Sequence, residues 1–307
     1  MRFTKTIVAA LAATGIAVTA IAAAPPPAQV QAPAAQRLVL VDVPRATGPK
    51  RDLFNARDLS NWQPWLGYAD PSQTYLEKPA ADAIGRRNAG DFAVRTVDGR
   101  PALWIKGETW GSLVNDLTLS DYHLRLEYKW GAKRYAPRVG LPPNNGLLYH
   151  THGTPGTVFG TWQPAIEFEI MQGSTGMAVM VGGETRARTT TVEDRSIIAP
   201  HLRYRLNGAP VELANPGRLW NVENARDVER PAGEWNVVDL YVLGDRAVHV
   251  LNGVPVMVLT GISTVGADGT RRPLTAGRIQ LQSEGAETWF RSITVEPIRS
   301  LPRVVAR

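Results

Sequence analysis

Cysteine is missing from all 307 residues. That leaves no residue for a lipoprotein anchor at a cleavage site, and it leaves a fold held together without disulfides. Basic runs with interleaved aromatics are missing too. The formal charge of +6 is spread over scattered arginines, with Arg2 and Lys5 near the start and Arg299, Arg303 and Arg307 near the end. Such a distribution solvates a surface and excludes a nucleic-acid footprint. No window keeps a helical period. No Ser-His-Asp spacing, phosphate-cradling glycine loop or dinucleotide fingerprint occurs.

Long apolar runs are confined to one place. "TIVAALAATGIAVTAIAAA" follows Arg2 and Lys5 and ends in Ala-x-Ala patterns. This predicts a secretory signal over residues 1–24, cleaved rather than retained because the run is short and built of alanine and glycine. The expected product is periplasmic or secreted, without a membrane anchor. "APPPAQVQAPAAQ" then opens a Pro/Ala-rich linker over 25–50; such composition stays extended. One domain is expected over 51–299, with a short tail over 300–307.

What the sequence does have is alternation. In "YHLRLEYKW" (122–130), Tyr122, Leu124, Leu126, Tyr128 and Trp130 share one face of a strand, and His123, Arg125, Glu127 and Lys129 the other. "EWNVVDLYVLGDRAVHVLNGVPVMVL" reads as three strands turning at Gly244-Asp245 and Asn252-Gly253, the latter a pair suited to a two-residue hairpin turn. Two further strands flank Glu284-Gly285. Many short strands with 28 glycines and 23 prolines for turns predict an all-β antiparallel sandwich, most simply a jelly roll. Residues 173–233 break the rhythm and are expected as long loops, forming a wall or lid.

"PAIEFEIMQG" (164–173) raises the chemical question. Ile166, Phe168 and Ile170 fit a core face, which puts Glu167 and Glu169 together on the other. Paired carboxylates on an antiparallel sheet are ordinary if that face meets water. Three neighbours point to a walled site instead: Trp162 and Gln163 before the strand, the irregular segment after it, and His150 and His152 in "LLYHTH" (147–152). Carboxylates beside apolar rings acquire pKa values suited to proton transfer. His150 and His152 have the spacing of a divalent-metal pair that Glu167 or Glu169 would complete, although a metal ordinarily takes three or more ligands; no other cofactor is called for. His249 reads as a packing or hydrogen-bonding residue rather than a base. A retaining laminarinase-type glycosidase would carry Glu-x-Asp-x-Glu on this strand; here the fourth position after Glu167 is Met171 and after Glu169 is Gly173.

Taken in order, "LFNARDLSNW", "LSDYHLRLEYKW", "NNGLLYH", "IEFEIMQ", "RPAGEWN", "VHVLNGVPV" and "LQSEGAETWFRSI" resemble the 3-keto-disaccharide hydrolase family over about Leu53 to Pro297. The resemblance implies a concanavalin-like jelly roll of the glucanase type and cleavage of glycosides already oxidised at C3. Glu167 stands at the family's glutamate, Glu169 where Gln is common, His150 where Arg is common, and Glu284 where a histidine is usual. On that basis Glu167, Glu169 and His150 are the expected catalytic residues. Asn144, Asn145, Trp162, Gln282, Glu284 and His249 are expected to bind a carbohydrate substrate. A non-catalytic carbohydrate-binding module on the same scaffold and a retaining laminarinase-type glycosidase are the alternatives.

Overall fold

The computed structural model describes residues 32–307; the expected signal and the first residues of the expected linker lie outside them. The protein is an antiparallel jelly-roll sandwich. One sheet has seven strands in the order Asn221–Val222, Ala178–Val181, Ala165–Met171, Asn144–Thr151, Arg278–Ser283, Gly111–Asn115 and Trp62–Leu66. The second is built around Tyr122–Arg134, flanked by Asn236–Leu243 on one side and Ala286–Pro297 on the other. It continues through Arg246–Leu251 and Val254–Val265 to Thr185–Glu193. Every strand pairing in both sheets is antiparallel.

Alternation decides which side chains meet between the sheets. Ile166, Phe168 and Ile170 face Leu124, Leu126, Tyr128, Val238 and Leu240 in one continuous core, all essentially inaccessible. Each such side chain contributes about 1.5–3 kcal/mol on burial. The Asn252-Gly253 hairpin has φ of 50° and 80° at its two central residues, the left-handed pair such a turn demands.

Two expectations are corrected. Residues 173–233 are not loop throughout: 194–201 and 224–233 are irregular as expected, but the segment carries five strands, among them Thr185–Glu193 with Thr185, Ala187, Thr189 and Thr191 buried and Arg186 and Arg188 turned outward. The period of two was present, but threonine and alanine supply it where large apolar residues were sought. The terminal segments are also structured. Leu38–Val41, within the expected linker, pairs with Arg303–Ala306 of the expected tail, so the folded unit extends beyond 51–299.

Candidate active site

The strand Ala165–Met171 is buried on both faces through Ile170. Its outward carboxylates therefore do not look at water: Glu167 is 4% and Glu169 6% exposed. They form the floor of a cleft of about 530 Å³, joined there by Asn144, Gln282 and Glu284. Trp162, Phe159 and Val158 wall it from the connection before the strand, and Tyr75 and Arg138 reach in from two distant loops. Segments of 173–220 close the remaining side, so the expected wall is formed, by strands and their turns.

Gly146 is the hinge of the floor. It pairs with Glu169 across one strand boundary, and a Cβ placed on it would collide with both Glu167 Oε1 and Gln282 Oε1. The missing side chain is what lets a carboxylate from one strand and an amide two strands away converge over the strand between them. Glu284 is held from behind. Its backbone N–H donates to Asn145 Oδ1 at 2.7 Å, and Asn145 Nδ2 donates onward to the Ala286 carbonyl and to Thr288 Oγ1. Tyr75 Oη–H and Arg138 each lie 3.4 Å from Glu284 Oε1.

Burial raises the pKa of all three carboxyl groups, and one guanidinium, Arg138, opposes the shift at Glu169 and Glu284. For Glu167 the further causes are Glu169 and Glu284, with no cation opposing them. For Glu169, Glu284 pushes up and Arg138 pulls down. Glu284 has the most relief, from Arg138, Asn144 and Tyr75. Like charges at the 6.5–7 Å same-face spacing of a strand repel by about 2.5 kcal/mol at an effective dielectric of about 20. The cluster as a whole therefore holds protons to higher pH than isolated glutamates would. Glu167 Oε1, Glu169 Oε1, Asn144 Oδ1 and Gln282 Oε1 are all buried without a hydrogen-bond partner. A ligand carrying several O–H donors would satisfy them.

Not every expected residue arrives. His150 is fully buried but outside the cleft lining. Leu148 pairs with Gln280 and Thr151 with Arg278, so the strand carries one extra residue at this point. His150 takes φ of 52° in that bulge, which ends the alternation that would have aligned it with Glu167. Burial lowers its pKa to about 4. Among the described residues no group of three His, Cys, Asp or Glu side chains is placed to hold a metal, so His150 and His152 lack the further ligand expected from Glu167 or Glu169.

His249 lies in the core rather than at the substrate. It is stacked on Phe168 at 4.6 Å and hydrogen-bonded to Tyr149 Oη and the Gly176 carbonyl. Asn145 likewise positions Glu284 from beneath and does not line the cleft. Asn145→Ala should cost about 1–3 kcal/mol by leaving buried partners unpaired, measured by denaturant unfolding.

Arg138 and Tyr75 were missed from sequence because each sits in an irregular loop, where no period marks which way a side chain faces.

A family model described as the 3-keto-alpha-glucoside-1,2-lyase-like domain matches residues 49–296. No curated protein sequence matches significantly. Among solved structures, a candidate glycosyl hydrolase from Parabacteroides distasonis is 17% identical with a TM-score of 0.46, covering 82% of this chain and 100% of its own. The β-glucanase of Bacillus licheniformis is 10% identical with a TM-score of 0.38, over 82% and 100%. The carbohydrate-binding module CBM66 of Bacillus subtilis is 11% identical with a TM-score of 0.38, over 67% and 90%.

Proposed function

The chain belongs to the 3-keto-alpha-glucoside-1,2-lyase-like family, and from that premise we propose that it cleaves the glycosidic bond of 3-keto-glycosides by elimination and rehydration. The supporting observation is the buried cluster of Glu167, Glu169 and Glu284 with a single guanidinium, Arg138, at its edge.

A ketone at C3 acidifies the C2 hydrogen. Glu169, eased toward ionisation by Arg138, removes that proton as general base. Negative charge moves to the C3 oxygen, where Arg138, whose Nε–H has no protein partner, is the donor that stabilises the enolate. The electron pair then expels the oxygen on C1, which Glu167 protonates as general acid. Water adds to C1 of the enone and C2 regains a proton, so the net change is hydrolysis. No oxocarbenium ion is needed. A retaining double displacement fits less well, because the next same-face position on the strand is Met171 rather than a third carboxylate. The proposed place of action is the periplasm or the exterior, on the strength of the apolar leader at residues 6–24.

In deuterated water the protein should exchange the C2 hydrogen of a 3-keto-glucoside, and a substrate deuterated at C2 should show a primary isotope effect. The unoxidised glucoside should be inert. Cleavage of the unoxidised glucoside without exchange at C2 would overturn the reading.

The pH profile carries the sign of the shifts. Activity should fall as pH drops through the first apparent pKa of the carboxyl cluster, protonating the base. It should fall again as pH rises through the second, removing the acid's proton. Both limbs should lie above the ordinary glutamate value of 4.5, because burial and mutual repulsion raise both groups. Glu167→Gln should abolish the alkaline limb of kcat/KM.

A further inference from the structure

The cleft changes character along the sheet. Charged and amide side chains occupy the half over Ala165–Met171, the start of Asn144–Thr151 and the end of Arg278–Ser283. Over Ala178–Val181 the lining becomes Met177, Val179 and Val181, closed by Ile198 and Trp220. Asn215 is the amide side chain in this half, and its Nδ2 already donates to the Met180 carbonyl at 2.7 Å.

The mouth is apolar as well. Of the nine large apolar side chains exposed among the described residues, four ring this cleft: Tyr75, Phe159, Ile198 and Trp220. Scattered apolar residues on a surface need no explanation, but a cluster around one opening marks a binding surface. Phe159 is held there at φ of 52°, a conformation costly for a bulky residue. Its ring stands edge-on to Tyr75 at 5.2 Å.

Resting on the hydrolase reading above, we propose that the group expelled from C1 is an apolar aglycone, alkyl or aryl, seated between Met177, Val179, Val181 and Trp220, and not a second sugar. The unpartnered acceptors of the acid floor match the hydroxyl groups of one keto-sugar ring. A second ring in the neighbouring half would set its hydroxyls against methyl and thioether groups, leaving them unpaired. A hydrocarbon there is rewarded by about fourfold in affinity per buried methylene.

The test uses 3-keto-glucosides of methanol, hexanol and glucose; methanol and hexanol are close in basicity, whereas a sugar hydroxyl is more acidic and departs more readily, so recognition is read from KM rather than from kcat. KM should fall at least about tenfold from the methyl to the hexyl compound, with the disaccharide no better than the methyl one. Trp220→Ala and Ile198→Asn alter exposed positions outside the acid cluster. Each should raise the hexyl KM by about tenfold or less, raise the methyl KM by a smaller factor, and leave the melting temperature near the wild-type value. A disaccharide that matches the hexyl compound in KM, or a hexyl advantage untouched by both variants, would overturn the aglycone assignment alone. Absence of turnover on all three compounds would overturn the hydrolase reading. The aglycone question is then read by calorimetry with hexyl glucoside and a glucose disaccharide, where tighter binding of the disaccharide sinks it and tighter binding of hexyl glucoside supports it.

Discussion

Glu167→Gln protein should turn over a 3-keto-glucoside about 10²–10⁴-fold more slowly than the wild type, while melting at an equal or higher temperature above neutral pH. The two outcomes have one cause. Burial first, then Glu169 and Glu284, raise the Glu167 pKa well above 4.5. Between 4.5 and that raised value the folded chain binds more protons than the unfolded one, so stability is greatest at the acid end and is lost as pH rises through the folded pKa. Glutamine keeps the shape and removes the charge, and with it both the acid and the penalty.

The buried histidines work in the opposite direction. His150 and His249 are each lowered from 6.5 to about 4 by burial, so the unfolded chain takes up protons first and stability falls as pH drops from 6.5 to 4. With the carboxylate contribution reduced, the pH of maximum stability should move upward in Glu167→Gln. Thermal melts across pH, with turnover on the same samples, check both halves. Undiminished turnover would remove Glu167 from the chemistry; a collapsed fold would make it a structural residue.

Gly146→Ala should be nearly as damaging to activity, about 10²-fold or more, although alanine is compatible with an ordinary strand backbone. Its methyl group would enter the space now held by Glu167 Oε1 and Gln282 Oε1. The surrounding strands are paired on both sides, so the carboxylate must swing rather than the sheet spread. Displacement of a catalytic group by about 1 Å costs on the order of 10²-fold, and overpacking costs about 1–3 kcal/mol of stability. The expected signature is a low kcat in a folded protein, read by circular dichroism and steady-state kinetics. Wild-type kcat in a folded Gly146→Ala protein would show that convergence over the middle strand does not matter to turnover.

Local pattern stops being informative where the inward residues of a strand are small or the strand bulges. Tyr122–Arg134 is legible because five large apolar side chains alternate with charged ones, and the hairpins at Asn252-Gly253 and Glu284-Gly285 because Asn252, Gly253 and Gly285 admit the positive φ they adopt. Thr185–Glu193 was not legible, since its inward residues are threonines and an alanine. His150 was misplaced by one inserted residue at the bulge, which rotates a strand without leaving a mark in its composition. His249, by contrast, behaves as the packing residue its apolar hairpin implied.

The glutamate pair divides cleanly. That Glu167 and Glu169 share a face opposite Ile166, Phe168 and Ile170 follows from the strand period of two and was determined by the sequence alone, as was the all-β class. Whether that face meets solvent depends on what lies above it. Tyr75, Arg138 and Trp220 come from loops far away in the chain, and Asn145 sets Glu284 from beneath. A strand's period reports only which side chains point together. Only the tertiary structure, by bringing those distant segments over the outer face, decided that the paired acids would be buried, short of counter-charge and aimed into a cleft.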